Sequence, residues 1–114
     1  MYEYRATLRR VIDGDTIEVT LDHGCRLLSN QTIRFRGVNA PERKTPTRAA
    51  GDAARAWMIE RLPRSEWSLT IKTHLAKHEE DSFRRLLGDV FVDGSLINQE
   101  LIEQGHGVPF MVDA

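Results

Sequence analysis

The sequence predicts a mainly β domain with helices, built as a closed five-stranded barrel of the OB type. Two observations predict this fold class. Segments in which apolar and polar residues alternate recur four times along the chain, and a mainly apolar segment at residues 86–92 adds a fifth strand; a period of two is typical of half-buried strands. One longer segment has its apolar residues at helical spacing, and it falls between the third and fourth strands. Five short strands interrupted by one helix suit a small closed barrel.

The strands are expected at residues 4–12, 16–22, 31–38, 67–73 and 86–92. The first two form a hairpin, because Asp13, Gly14 and Asp15 between them are a turn signal that leaves two acids at the tip. Asp93 and Gly94 indicate a second hairpin-type turn after the fifth strand.

Two helices complete the prediction. Thr45 is expected as the N-cap of the first and Pro46 as its first residue, and Pro63 ends it. Its apolar stripe indicates core packing; it consists of Ala50, Ala53, Ala54, Trp57, Met58 and Leu62. Ser95 is expected to cap the second helix, residues 96–104, which Gly105 stops.

Composition indicates one soluble globular domain, residues 1–114, that can fold alone. No apolar run reaches the roughly 18 residues of a membrane span. The charged N-terminus lacks a signal-peptide core, which favours an intracellular protein. The single cysteine, Cys25, cannot form an internal disulfide and is interpreted as an unreactive thiol. The sequence does not determine the oligomeric state, and a monomer is the default expectation.

The net charge of −1 conceals an asymmetry. Residues 34–64 carry eight Lys and Arg against three acids, whereas residues 86–114 carry five acids and no Lys or Arg. The basic segment could face a polyanion such as nucleic acid. A solvated helix with its counter-charges elsewhere explains the same pattern.

Asp13 and Asp15 are candidates for a metal site. Two carboxylates this close repel each other, so a hard divalent cation is a natural guest between them. The side-chain oxygen of Asn39 and the main-chain oxygen of Ala40 follow the third strand and could complete the site. These hard donors favour Ca²⁺, or Mg²⁺, over zinc or copper. A plain Asp-Gly turn with no metal remains the alternative for the two acids.

Three charged residues are candidates for phosphodiester chemistry. Glu42 could take a proton from an attacking water. Arg34 could pair with two phosphate oxygens, and Arg85 could supply a second guanidinium, with Arg84 as its competitor. Each could also be an ordinary surface charge. His74 and His78 are four residues apart but lack flanking ligands, and an exposed loop is expected there.

In this order and spacing, the segments VIDGDT, RFRGVNAPE, DSFRR and LINQELIEQGHGVPF resemble the staphylococcal nuclease (thermonuclease) family. The resemblance implies an OB-type barrel, a Ca²⁺ ion and cleavage of DNA or RNA, with a 3′-phosphate on the product. It implies that Asp15 is a metal ligand, with Asp13 near the metal through water. It also implies that Glu42 is the general base and that Arg34 and Arg85 bind phosphate.

Two residues depart from the family pattern. Asn39 stands where the pattern has an aspartate, so Ca²⁺ binding should be weaker. Arg84 replaces a glycine that precedes the second arginine. The leading hypothesis is a metal-dependent nuclease. The alternatives are a catalytically silent nucleic-acid-binding module on the same barrel and a protein-interaction barrel that binds no nucleic acid.

Overall fold

The computed structural model of the protein describes residues 2–73 and 85–110. In chain order, the described residues form the elements β1 (Tyr2–Asp13), β2 (Thr16–Asp22), β3 (Leu28–Phe35), β4 (Val38–Asn39), α1 (Arg48–Arg61), β5 (Leu69–Thr73), β6 (Leu86–Val92), β7 (Ser95–Leu96), α2 (Ile97–Glu103) and β8 (Val108–Pro109). The predictions for His74, His78 and Arg84 lie outside the described residues.

The five long strands close into a barrel. The sheet order is β3-β2-β1-β5-β6-β7, and β3 also pairs with β6 in parallel, from Ile33 opposite Leu86 to Phe35 opposite Gly88. This pairing joins β3, at one edge of the sheet, to β6 near the other edge. The long strands therefore have no open edge in that region. The predicted OB-type barrel, with one helix between the third and fourth long strands, is confirmed.

The core follows from the alternation seen in the sequence. Ile17, Val19 and Leu21 of β2 are almost fully buried, and each such side chain stabilises the fold by about 1.5–3 kcal/mol through burial. In β1 the inward residues are Ala6, Leu8 and then Val11, because a register shift between Leu8 and Arg10 inserts an extra residue.

The first, third and fourth strands differ in extent from prediction. The observed β1 is Tyr2–Asp13, where residues 4–12 were expected, and left-handed backbone explains the end of β3 and the start of β5. The third strand was expected at residues 31–38. The observed β3 starts at Leu28, because pairing with β2 continues to Asp22, and it ends before Gly37, which has φ +79°. Trp67, with φ +55°, likewise keeps residues 67 and 68 out of β5.

The predicted start of the first helix, with Thr45 as N-cap and Pro46 first, is wrong. Helix α1 begins at Arg48, with Thr47 at its N-cap position. The residues before it form a turn in which the Thr47 amide donates to the Lys44 carbonyl. The helix ends at Arg61, with Leu62 as C-cap, as expected from Pro63.

Ser95 as a helix cap is also wrong. Ser95 and Leu96 pair with β6 as β7, and α2 begins at Ile97 without a side-chain cap. The chain thus completes a hairpin before it turns into the helix. Asn98 of α2 is 5% exposed, accepts from the Val90 amide and donates to the Arg36 and Gly88 carbonyls. This buried side chain ties α2 to the strands that lead to the site.

An ion pair joins the two helices. Arg61 of α1 donates from Nε to Glu100 Oε1 (2.6 Å) and from Nη2 to Oε2 (2.9 Å). The hydrogen bonds from Arg61 lower the pKa of Glu100 below its ordinary 4.5, and Glu100 raises the pKa of Arg61. Part of the charge asymmetry is therefore structural, since an acidic residue of α2 neutralises a basic residue of α1.

Glu100→Gln is expected to lower the free energy of unfolding at pH 7 by about 0.5–1 kcal/mol. Because the pKa of Glu100 is lowered in the folded state, its contribution is complete above pH 4.5 and disappears as the pH falls through the folded value. Arg61 stays charged throughout. Urea unfolding from pH 7 to pH 3 measures this, with Glu103→Gln on the exposed face of α2 as the control. A difference from wild type that does not shrink at low pH would contradict the assignment.

Within the described residues, neither helix has the length and apolar character needed to cross a membrane.

Candidate active site

One cavity of about 310 Å³ gathers all the residues predicted for the site. It opens where the β1–β2 turn meets the segment after β3. Its lining residues are Asp13, Asp15, Arg34, Asn39, Ala40, Pro41, Glu42 and Arg85. The structure therefore brings together, from three separate parts of the chain, the four residues predicted to bind metal and the three predicted for catalysis; Arg84, the competitor of Arg85, lies outside the described residues. Their chemical roles stay predictions.

Asp15 is the most firmly held acid of the cavity. Its carboxylate is 13% exposed and accepts hydrogen bonds from Thr16 Oγ1 (3.0 Å) and from the Ala40 amide (2.8 Å). Its carbonyl also accepts from the Phe35 amide (2.8 Å). The hairpin tip (residues 13–16) is thus joined to the end of β3 at Phe35 and to Ala40 beyond it, and the Asp15 carboxylate has a fixed position facing the cavity.

Arg34 is fixed equally firmly. It is 12% exposed, and its Nη1 donates to the carbonyls of Phe35 and Val38 at 2.7 Å each. Its Nη2 contacts the side-chain oxygen of Asn39 and lies 3.5 Å from Asp15 Oδ2. Arg34 sits opposite Thr16 in the β2–β3 ladder, which places it beside Asp15. The guanidinium is pre-oriented, so little conformational entropy would be lost when it binds an anion.

Asn39 has a role in the structure that the sequence did not suggest. Its side-chain oxygen accepts from Arg34, so the amide helps to orient the guanidinium. An amide oxygen has two lone pairs, and one hydrogen bond does not exclude metal coordination by the other.

Asp13 is held by a residue that sequence reasoning missed. Arg43 Nε donates to Asp13 Oδ1 (2.9 Å), and its Nη1 lies 4.0 Å from Asp52 Oδ1 in α1. This pair compensates one of the two acids at the hairpin tip. The sequence did contain a signal, because Arg43 is a cation directly after Glu42. Only the fold shows that this cation pairs with Asp13.

Glu42 lies at the rim of the cavity. Its side chain is 74% exposed, and Lys44 Nζ lies 3.8 Å from Oε2. A pair this exposed contributes little to stability, and solvent has access to the carboxylate. The Glu42 main chain is better fixed, because its carbonyl accepts from Thr47 Oγ1 (2.8 Å).

Arg85 lines the same cavity from the start of the strand beside β3. It directly precedes β6, whose parallel pairing places Leu87 opposite Arg34. Two guanidiniums thus line one cavity although they are 51 positions apart in the sequence.

The oxygen atoms that line the cavity are of the kind that a hard divalent cation prefers, but few of them carry charge. In residues 2–73 and 85–110, no group of three or more His, Cys, Asp or Glu side chains is arranged to hold a metal. A metal in this cavity would therefore need Asn39 and the Ala40 carbonyl beside Asp13 and Asp15. All four donors are oxygens, as Ca²⁺ and Mg²⁺ prefer, but only two carry charge.

The sequence of the chain matches a known protein family. The family model described as "Staphylococcal nuclease homologue" matches residues 32–112. The chain belongs to the staphylococcal nuclease family. The matched part carries Arg34, Asn39, Glu42 and Arg85, whereas the hairpin tip with Asp13 and Asp15 precedes it.

Relatives from two bacterial genera share this family's domain. Endonuclease YhcR of Bacillus subtilis (strain 168) is 32% identical over 119 residues, covering 96% of this chain and 9% of that protein. The SPbeta prophage-derived endonuclease YokF of the same strain is 29% identical over 102 residues, covering 87% of this chain and 32% of YokF. Thermonuclease of Staphylococcus hyicus is 30% identical over 99 residues, with 84% and 53% covered. The chain thus spans about half or less of each relative.

Proposed function

We propose that this chain is a metal-dependent nuclease that hydrolyses phosphodiester bonds of DNA, RNA or both. The observation that carries the proposal is that two arginines, an accessible glutamate and two aspartates line the same cavity. Relatives named endonuclease and thermonuclease support it.

In the proposed reaction, Arg34 and Arg85 bind the scissile phosphate. Guanidiniums match the geometry of phosphate oxygens and stabilise the negative charge that grows in the transition state. Arg34 is suited to this role because its hydrogen bonds to the carbonyls of Phe35 and Val38 already hold the guanidinium in place.

Glu42 acts as the general base. It accepts a proton from water as the water oxygen bonds to phosphorus, and the bond from phosphorus to the 5′ oxygen breaks. That oxygen takes up a proton from bulk water and Glu42 returns its own proton to solvent, so the products carry a 3′-phosphate and a 5′-hydroxyl. General bases of this kind contribute about 10²–10⁴ in rate.

Asp15, Asn39 and the Ala40 carbonyl would hold the cation, with Asp13 nearby, and Ca²⁺ is the proposed ion, with Mg²⁺ possible. When bound, it would supply positive charge next to the phosphate.

The test incubates the purified protein with single-stranded DNA, duplex DNA and RNA, each with Ca²⁺, with Mg²⁺ and with a chelator. Cleavage of at least one polymer that the chelator abolishes is expected. Binding of a polymer without cleavage under any divalent ion would overturn the nuclease proposal.

A second candidate is a silent nucleic-acid-binding module. The observation in its favour is Asn39, whose amide lacks the charge of a carboxylate and whose oxygen already accepts from Arg34. Such a module has no chemical need for Glu42 beside two arginines, so the nuclease is preferred.

Asn39→Asp is expected to tighten Ca²⁺ binding by roughly tenfold, because a third carboxylate joins the donor set. Titration calorimetry of the two proteins with Ca²⁺ measures this, with Asn30→Asp on β3 as the control for added charge. Unchanged Ca²⁺ affinity would mean that residue 39 is not a ligand.

A further inference from the structure

Helix α1 contacts the segment that carries Glu42 through a glycine. Gly51 is buried against the peptide that joins Glu42 and Arg43. A Cβ on Gly51 would lie 2.5 Å from the Glu42 carbonyl oxygen, 2.7 Å from the carbonyl carbon and 2.8 Å from the Arg43 nitrogen. Real Cβ atoms essentially never come within 3.0 Å of such atoms. The helix therefore reaches this peptide only because residue 51 has no side chain.

The same face of α1 also contacts the hairpin tip. Ala54 is fully buried, and a Cβ on Gly14 would lie 2.7 Å from the Ala54 Cβ and 2.9 Å from the Ala40 Cβ. Residues three apart share a helix face. One rigid surface of α1, formed by Gly51 and Ala54, therefore sets where the Glu42 segment and the Asp13–Asp15 turn lie relative to each other.

Hydrogen bonding fixes the same peptide independently. Thr47 occupies the N-cap position of α1 but makes no side-chain cap bond. Its hydroxyl instead contacts the carbonyls of Glu42 (2.8 Å) and Lys44 (3.2 Å). The Glu42 carbonyl is thus packed against Gly51 and hydrogen-bonded to Thr47, so its position is set by the start of α1.

We propose that Gly51 is a positioning residue. It holds the main chain of Glu42 at the position on the rim of the cavity that catalysis requires. This inference rests on the proposed function, in which Glu42 is the general base. A bulkier residue would push the Glu42 peptide away from α1 by at least about 0.5 Å to relieve the contact. Misplacements on the order of 1 Å can lower a rate by 10²-fold.

The first test compares Gly51→Ala with Gly88→Ala. Alanine is the better helix former, but its Cβ would meet backbone atoms at 2.5–2.8 Å. Gly51→Ala should therefore lower the melting temperature, and kcat should fall by about 10- to 100-fold. KM should change little, because the phosphate-binding arginines are not displaced. Gly88 is the matched control: a Cβ there meets side-chain methyls of Ile71 and Ile33 at 3.1 and 3.2 Å. Gly88→Ala should lower the melting temperature and leave kcat near the wild-type value.

A double-mutant cycle separates positioning from a general structural effect. If Gly51 acts through the Glu42 carboxylate, then Gly51→Ala should lower the residual rate of Glu42→Gln by less than about twofold, since interacting residues are non-additive. An equal loss in both backgrounds would overturn the proposal. Thr47→Val is the second variant, should Gly51→Ala fold poorly. It removes the hydroxyl bond to Glu42 without removing a helix cap and is expected to lower kcat while KM stays near wild type; an unchanged kcat would count against the proposal.

Crystal structures of wild type and of Gly51→Ala test whether Gly51 positions Glu42, and this test needs no measurement of activity. Displacement of the Glu42–Arg43 peptide away from α1 is expected, and an unmoved peptide would overturn the inference. If wild type cleaves no nucleic acid but the peptide moves, then the proposed function fails and the positioning of Glu42 by Gly51 stands.

Discussion

Glu42→Gln is expected to lower the cleavage rate by about 10²–10⁴ while nucleic-acid binding is retained. Glutamine has nearly the same shape as glutamate but cannot take a proton from water. The fold should be unaffected, because the Glu42 side chain is 74% exposed and its contact with Lys44 is a weak surface pair. Single-turnover cleavage of a labelled oligonucleotide, together with a binding titration, measures both effects.

Glu60→Gln, an exposed position on α1, is the matched control and should cleave like wild type. Equal rates for Glu42→Gln and wild type would show that another group is the base. A loss of binding as large as the loss of rate would instead show that Glu42 contributes to affinity and not to proton transfer.

Arg34→Lys is expected to reduce kcat/KM by on the order of 10³-fold. Lysine keeps the positive charge but cannot bridge two phosphate oxygens. It also cannot reproduce the set of contacts that Arg34 makes with Phe35, Val38 and Asn39. A moderate loss of stability should accompany the loss of rate, so the melting temperature must be recorded beside the kinetics.

Arg36→Lys is the control for this variant. Arg36 lies two residues further along the chain, and among the described residues it does not line the cavity that Arg34 and Arg85 share. Its substitution should change kcat/KM little. If the two lysine variants lose activity equally, then nonspecific electrostatics explains the role of both arginines, and a specific phosphate contact by Arg34 does not.

The strands of the barrel were predictable because their determinants are local. Alternation in β2 identifies Ile17, Val19 and Leu21 as buried, and the acids around Gly14 mark the first turn. The candidate site residues were noticed for a related reason: carboxylates at a turn and cations at a strand end are chemically distinctive. The family resemblance then supplied their roles, which stay predictions. Closure of the barrel through β3 and β6 then brings Arg34 and Arg85 to one cavity.

The features that failed or were missed depend on contacts that residue types alone do not reveal. Thr45 and Pro46 have the residue types of a helix start, but the hydroxyl of Thr47 bonds the carbonyls of Glu42 and Lys44 and the helix begins later. From the sequence, Gly51 is only a residue of low helix propensity. The structure shows that it contacts the Glu42 peptide. The pairing of Arg43 with Asp13, 30 residues earlier in the chain, likewise has no local signature.

We propose that this cavity cleaves nucleic acid and does not merely bind it. The most direct measurement follows binding and cleavage of one labelled single-stranded DNA in the same reaction, with Ca²⁺, for wild type and Glu42→Gln. We predict that both proteins bind the DNA with similar affinity and that wild type alone cleaves it at an appreciable rate. Binding by wild type with no cleavage would contradict the claim and identify a nucleic-acid-binding module.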